Sequence, residues 1–590
     1  MSGGLRVTLG QHSQAGCKPV NQDFHGAVLP TGERLRTKGI ALALADGISS
    51  SSVSQIASAA AVRGFLEDYY CTSEAWSVRR AAQCVLEASN SWLHAQTQRS
   101  DARFDKDRGY VCTFSALIFK GREAHLLHVG DTRVYRLHAQ ALEQLTEDHR
   151  VRISSVQSYL GRALGTGPGV EIDYRSWTTE VGELYLLATD GVYEHIDAAA
   201  VHAALALAPG HSNEAGNFDA LDAAAAALVA TALARGSQDN LTAQLVRIDA
   251  LPPIDAALLH TQREGLRIPP ALHPRDRFEG YTIVRELHCS SRSHVHLALD
   301  TDSGRQVVLK TPSVDLRDNP AYLDSFLLEE WIARRIDSEF VVKPCPAERP
   351  REHLFVALEY VQGQTLAQWM IDHPAPDLDA VRRIIEQVAQ GLQAFHRKEM
   401  LHQDLRPENL MIDRNGTVKI IDLASTHVAG LTEGTHQAQA RALLGSLQYT
   451  APEYFVGGVG TPQSELFSLA VIAYQMLTGQ LPYGLQIPRL RKPGDLQGLR
   501  YISARERRLD LPPWLDAVLR RALQPQPHKR QEALSEFMHD LRTPGAQYLG
   551  LRAPPLIERN PVAFWQGLSL LLTVAVVVLA VVASQWGHRP

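Results

Sequence analysis

Five aspartates stand where apolar runs end: Asp23 in VNQDF, Asp46 in LADGI, Asp131 in HVGDTRVY, Asp190 in LLATDG and Asp239 in SQDNLT. Taken singly, an Asp beside Gly or Asn is a turn signal. As a set, they are the oxygen ligands that hard cations such as Mg²⁺ or Mn²⁺ recruit from distant segments. Two such ions close together clamp a phosphate and make a water acidic enough to attack phosphorus in line. A second constellation follows in the other half of the chain. It comprises Lys310 in QVVLKT, Glu329 in FLLEEWIARRI with Glu330 as the alternative, Asp404 and Asn409 in LHQDLRPENL, and Asp422 in VKIIDLAS. Phosphoryl transfer from a nucleotide needs such a set: a Lys on the phosphates, an acid to hold that Lys, an Asp near the acceptor hydroxyl, and an Asn and an Asp for metal.

The elements that must position these groups can be read from periodicity. GIALALAD is a buried strand that delivers Asp46. Ile56, Ala59, Ala60, Phe65, Leu66 and Tyr69 recur at helical spacing, as do Val78, Ala81, Ala82, Val85, Leu86, Ser89, Trp92 and Leu93. Short strands follow (CTFSALIF, AHLLHVGD, TRVYRLH, LYLLATDG), then an Ala-rich helix ending near Gly236, then LTAQLVRID. The second half opens on strands YTIVREL, HVHLALD and RQVVLK and turns helical after about Ala380. There Val381, Ile384, Ile385, Val388, Leu392 and Phe395 mark one amphipathic helix. Pro-containing stretches at 249–277 and 542–561 read as semi-extended linkers.

The series GCKPVNQDF, ADG, HVGDTRVY, LTEDH, LGRALG, LLATDGVYE and SQDNLT, in that order, resembles the metal-dependent (PPM, type 2C) Ser/Thr protein phosphatases over residues 5–249. The resemblance implies that Asp46 bridges two Mg²⁺ or Mn²⁺ ions, with the Gly47 carbonyl beside it. Asp190 and Asp239 would complete one shell, Asp23 would hold the second ion partly through water, and Asp131 would touch a third. The family's phosphate-binding Arg is Lys18 here, which supplies charge without a bidentate fork. Gln22 stands where the family carries an acid, and Ile48 follows Asp46-Gly47.

HxDLxPEN, then IID, then YTAPE, with Arg530 later in HKRQEAL, resembles the eukaryotic-like Ser/Thr protein kinases over residues 277–543. That resemblance implies ATP with Mg²⁺, held by Lys310, Asn409 and Asp422, with Asp404 as the catalytic-loop Asp. Arg406 replaces the usual catalytic-loop Lys, and Gln403 the Arg that pairs with a phosphorylated activation loop, although Thr426, Thr432, Thr435 and Ser446 lie in that loop. The glycine-rich loop should fall on LHCSSRSHV, where His288, Ser290 and Ser293 stand instead; Ser290 and Ser293 are the candidate phosphate donors. Asp422-Leu423-Ala424 replaces Asp-Phe-Gly. Two readings stay open: an active kinase, or a nucleotide-binding pseudokinase or scaffold beside an active phosphatase.

Bulk properties narrow the field. A net charge of −5 with 45% hydrophobic and 21% charged residues suits globular domains and offers no basic footprint for nucleic acid. The six cysteines include no Cys-x-x-Cys pair, so neither a zinc site nor a disulfide framework is expected. The N-terminus carries no secretory signal. Between Arg559 and His588 no side chain carries a full charge. Phe564 to Trp586 as a helix spans about 34 Å, enough for a bilayer core of about 30 Å. Trp565 and Trp586 sit where an aromatic belt lies.

The sequence therefore predicts an α+β multidomain chain: a PPM-type α-β-β-α sandwich (5–249), a linker (250–276), a bilobal kinase fold (277–543), a juxtamembrane linker (544–562) and one transmembrane helix (563–586). It is expected to act on Ser/Thr proteins, the chain itself included, with Thr261 and Thr543 as candidate target sites. The expected location is the bacterial inner membrane, single-pass, with the catalytic domains cytoplasmic.

Overall fold

A computed structural model describes residues 4–138, 141–152, 158–207, 218–253, 266–290, 292–316, 319–346, 349–431, 447–543, 545, 548 and 561–586. Thr261, Thr432, Thr435 and Ser446 lie outside the described residues. The chain forms two compact units, Met1–Trp369 with Gln390–Ser446, and Met370–Ala389 with Leu447–Pro590.

In the first unit two antiparallel five-stranded sheets face each other. One runs in the order β1 (Arg6–Gln14), β12 (Leu241–Ala250), β11 (Leu184–Ala188), β6 (Arg133–His138), β7 (Ala141–Gln144). The other runs β10 (Asp173–Thr178), β5 (Glu123–Val129), β4 (Phe114–Lys120), β3 (Ile40–Asp46), β2 (Asp23–Val28). The short hairpin β8 (Arg150–Arg152) and β9 (Ser158–Leu160) stands apart from both. Leu42, Leu44, Leu117 and Phe119 from one sheet and Tyr185, Leu187, Val246 and Ile248 from the other form one buried core. Helices α1 (Ser54–Cys71) and α2 (Val78–Arg99) cover the β2–β3 side, and α3 (Ala198–Leu207) and α4 (Phe218–Ala234) the β1–β12 side. The sheets bury apolar residues on both faces, as a four-layer sandwich requires.

Helix α1 lies where periodicity placed it, with Phe65, Leu66 and Tyr69 buried as expected, but the first half of its buried stripe is displaced by one residue. Its buried stripe is Ala57, Ala61, Val62, Phe65, Leu66 and Tyr69, while Ile56 is 47% exposed. Strands β1 and β2, one on each sheet, were not among the predicted elements.

A third five-stranded sheet, in the smaller lobe expected from residue 277 on, has the order β13 (Arg277–Phe278), β14 (Tyr281–Cys289), β15 (Ser293–Asp300), β16 (Gln306–Pro312), β17 (Val356–Glu359), with helix α5 (Pro320–Arg335) following β16. Part of the stretch expected as linker belongs to this lobe. Arg267 exchanges backbone hydrogen bonds with Glu352 and Leu354 at 2.9 and 2.7 Å, and Leu272 packs on the sheet's core. These unpaired edge groups find partners there that a free linker would lack.

The expected boundary near 250–276 does not divide the compact units, because the phosphatase-like sandwich packs on α5. Arg335 Nε lies 2.6 Å from Asp68 Oδ2, the Trp331 indole donates to the Asp68 carbonyl at 3.3 Å, and Trp76 and Trp331 meet at 6.2 Å. Arg99 grips Glu399 with two bonds of 2.6 and 3.0 Å, and the Trp92 indole donates to the Arg397 carbonyl at 3.2 Å.

In the second unit, the short α6 (Pro452–Phe455) carries Glu453, and α7 (Pro462–Thr478) is buried along most of its length. Arg530 meets Glu453 through bonds of 2.8 and 2.7 Å in a buried bidentate pair. The region 544–562 is described at Gly545, Tyr548 and the start of the last helix. Tyr548 is buried and donates to Asp540 at 2.7 Å. The last helix, α8 (Pro561–Trp586), starts two residues before the predicted span and carries exposed Leu570, Leu571, Val576 and Leu579. Among the described residues, no helix is long and apolar enough to cross a membrane.

Candidate active sites

The sandwich gathers the five aspartates at one end. Asp23 opens β2 and Asp46 closes β3, and the register pairs them directly. Asp131 lies between β5 and β6; Asp190 follows β11, and Asp239 precedes β12. Antiparallel pairing brings strand ends and strand starts to the same edge, so residues from both sheets meet there. Gly47 follows because its backbone is pressed against α1: a Cβ there would sit 2.8 Å from Ser54 Cβ and 2.9 Å from the Gln22 carbonyl.

The electrostatics are those of crowded, buried carboxylates. Burial pushes Asp23 up to about 6, against hydrogen bonds from Thr242 and Thr189 at 2.7 and 2.9 Å. Burial and repulsion from Asp131 and Asp239 push Asp190 up to about 7. Asp46 is raised well above the carboxylate range by burial and by Asp23, Asp190, Asp131 and Asp239. Asp23 Oδ1 is buried with no partner among the described residues. Carboxylates that resist ionisation together and leave an oxygen unbonded fit a divalent-cation site, because a cation cancels the repulsion.

Sequence reasoning missed Arg150. It reaches Asp131 at 2.6 Å, Asp190 at 3.0 Å and Glu194 at 3.3 Å, bridging two of the five aspartates. A basic residue directly after LTEDH, in a chain otherwise gathering acids, was the available signal. Lys18 lies 3.3 Å from Asp239 and donates to Ser49 at 3.2 Å, at the rim of the acid cluster. Gln22 does not extend that cluster. Its amide donates to the Ser51 carbonyl at 2.9 Å and to Ser54 Oγ at 2.6 Å, tying β2 to the start of α1.

The second constellation also converges. Lys310, opposite Val295 in the sheet, donates to Glu329 at 2.7 Å and to Asp422 at 3.1 Å. Of the two candidate acids, Glu329 takes the Lys. Glu330 turns to Arg334 at 2.6 Å and Arg351 at 2.9 Å. Burial opposes both charges, yet Lys310 holds the Asp422 carboxyl down at about 2, so the pair stays ionised. Asn409 donates to the Asp404 carbonyl and carboxylate at 2.9 and 3.0 Å. Arg406 Nε lies 3.7 Å from Asp404. Gln403 takes φ of +64°, a left-handed conformation that costs a non-glycine residue about 1–2 kcal/mol. Thr426 is buried.

In the hairpin that replaces a glycine-rich loop, Ser290 and Ser293 close on each other. The Ser290 amide donates to the Ser293 carbonyl at 3.0 Å, and its hydroxyl accepts from the Ser293 amide at 3.1 Å. The turn is built from serine side-chain bonds, where glycine would leave the backbone free to approach a phosphate.

Comparison with known proteins agrees with both halves. Residues 11–245 match the protein phosphatase 2C family model, and residues 281–541 match the protein kinase domain model. Among curated relatives, the chain is 33% identical over 196 residues to the serine/threonine-protein kinase PknA of Corynebacterium glutamicum, covering 32% of this chain and 41% of PknA. It is 31% identical over 283 residues to the serine/threonine-protein kinase PknB of Mycolicibacterium smegmatis, covering 46% of this chain and 43% of PknB. The chain thus spans less than half the length of these relatives. Among solved structures, the Mycobacterium tuberculosis serine/threonine phosphatase PstP/Ppp covers 41% of this chain and 99% of its own, at 22% identity and a TM-score of 0.34. One polypeptide here joins a protein phosphatase 2C domain, over residues 11–245, to a protein kinase domain, over residues 281–541.

Proposed function

We propose that the chain is a bifunctional signalling enzyme that both adds phosphate to Ser/Thr side chains of proteins and removes it. The observation that carries the kinase half is the Lys310–Glu329–Asp422 triad, closed at 2.7 and 3.1 Å. In this reading Lys310 binds nucleotide phosphates, Asp404 receives the hydroxyl proton, and Arg406 adds positive charge beside it. Asn409 and Asp422 are the residues that would hold Mg²⁺, whose charge would offset that of ATP.

For the phosphatase half, Asp46 with Gly47, Asp190 and Asp239 would hold one Mg²⁺ or Mn²⁺, Asp23 a second, and Asp131 a weaker third. Such ions supply charge neutralisation and an activated water. Lys18 orients the phosphate, and Arg150 neutralises Asp131 and Asp190.

A second reading, a nucleotide-binding pseudokinase that regulates the phosphatase, is favoured by the serine-closed hairpin. Attachment to the bacterial inner membrane through α8, with both domains cytoplasmic, is part of the proposal. It rests on the uncharged sequence Phe564 to Trp586 and on the exposed apolar side chains of the helix. Carbonate extraction of cell membranes tests it: a chain released into the soluble fraction would remove the anchor from the reading.

The central experiment incubates the chain with γ-labelled ATP and Mn²⁺, in parallel with Asp46→Ala and with Asp46→Ala/Lys310→Ala. Label that accumulates in the first variant and vanishes in the second establishes a kinase opposed by its own phosphatase. No label in any form, with hydrolysis of a phosphopeptide intact, moves the assignment to the second reading.

A further inference from the structure

The β14–β15 hairpin carries a chemistry that neither proposed activity uses. Glu286, Cys289 and His294 each present one ligand atom, all within 4.8 Å of one another. In a regular strand Glu286 and Cys289, three residues apart, would face opposite sides. A register shift between Glu286 and His288 inserts one extra residue and restores the parity. Glu286 then pairs with His296 and Cys289 with His294, so all four side chains share one face. Val295, the neighbour of both histidines, is the residue opposite Lys310. The cluster therefore occupies the reverse face of the hairpin whose front faces Lys310.

Two observations suit these side chains to a shared cation. His294 Nδ1 lies 3.3 Å from Cys289 Sγ and 3.2 Å from Glu286 Oε1. Ligand bonds of about 2.3 Å to sulfur and about 2.0 Å to nitrogen and oxygen give tetrahedral edges of about 3.3–3.5 Å, close to these contacts. Independently, His296 is 3% exposed, stacks 6.3 Å from His294, and leaves Nδ1 buried with no partner among the described residues.

We propose that Glu286, Cys289 and His294, with His296 beside them, bind a thiophilic divalent cation of the Zn²⁺ class and that this cation staples the hairpin. A thiolate and imidazole set selects Zn²⁺ over the Mg²⁺ or Mn²⁺ suited to five carboxylates. This revises the expectation that no cysteine here serves a metal. That expectation looked for paired cysteines, and a single Cys brought beside His and Glu by a bulge escapes it.

The test uses Co²⁺ as the spectroscopic probe on the full chain after chelator treatment. A cobalt–thiolate charge-transfer band requires a cysteine ligand, so carboxylate-bound Co²⁺ is silent in it. The expected result is a band whose saturated intensity corresponds to one thiolate-bound Co²⁺ per chain, displaced by Zn²⁺, abolished by Cys289→Ser, and retained in Cys17→Ser, the other exposed cysteine. His294→Ala should weaken Co²⁺ binding more than tenfold. No band, a band that survives Cys289→Ser, or one indifferent to both His294→Ala and Glu286→Gln overturns the site. Circular dichroism of each variant confirms that a lost band is not lost folding.

Discussion

Arg335, near the end of helix α5, and Asp68, on helix α1 of the phosphatase domain, form an ion pair at 2.6 Å with side chains only 4% and 6% exposed. Glu329 lies on the same helix α5, so the phosphatase domain holds the element that delivers the acid to Lys310.

Asp68→Ala would strand the Arg335 guanidinium in a buried setting. Breaking such a pair from one side costs about 3–5 kcal/mol, so the expected outcome is a markedly lower midpoint in denaturant unfolding. Phosphoryl transfer should fall with it, by about a hundredfold if Glu329 shifts by an ångström, while phosphopeptide hydrolysis per folded molecule stays near wild type. Autophosphorylation of Asp68→Ala at the wild-type rate would separate the contact from the Lys310–Glu329 pair.

Glu329→Gln removes the charge that holds Lys310 but keeps the size of the side chain. Lys310 still has Asp422 at 3.1 Å and should swing toward it. The expected effect is a tenfold to hundredfold fall in label transfer with little change in unfolding temperature. Glu330→Gln should instead act on stability, through Arg334 and Arg351. Steady-state kinase assays beside thermal unfolding distinguish the two.

The aspartate cluster predicts an unusual pH dependence for the metal-free protein. Asp23, at about 6, and Asp190, at about 7, sit above the ordinary unfolded value near 4. Between those limits the folded chain binds more protons than the unfolded one, so stability falls as pH rises from about 4 to about 7. Saturating Mn²⁺ should abolish or reverse that slope, because the cation replaces the protons. Denaturant unfolding at several pH values, with and without Mn²⁺, measures the sign directly.

Arg150→Ala removes the only cation described between Asp131 and Asp190. The metal-free protein should lose about 1–3 kcal/mol of stability. The Mn²⁺ concentration for half-maximal phosphatase activity should fall, since a guanidinium no longer competes for those oxygens. A metal titration of phosphopeptide hydrolysis reads this; an unchanged or higher requirement would count against the competition.

Lys18→Arg restores a bidentate fork at the rim of the acid cluster. The expected change is a several-fold lower KM for phosphopeptide with kcat little altered, because the residue lies 3.3 Å from Asp239 and outside the buried core of the site.

What the sequence by itself determined was the chemistry and its local carriers. Carboxylates at strand ends, a Lys in an apolar strand and Asp and Asn five residues apart are legible because the reaction needs those residue types at short, fixed spacings. The strands that end in Asp46 and Asp190 are legible too, since apolar runs closed by turn residues specify them. Tertiary structure alone decided which of Glu329 and Glu330 meets Lys310, since adjacent positions on a helix differ by about 100° of rotation. It also set the one-residue displacement in the first half of α1's buried stripe that exposes Ile56, and placed Arg150 over Asp131 and Asp190. Most of all, it paired Asp68 with Arg335, 267 positions away, and used a single bulge to bring Glu286 beside Cys289. Pattern along a chain fixes which residues face inward. Which inward residues meet depends on packing between elements distant in sequence, and no local spacing encodes it.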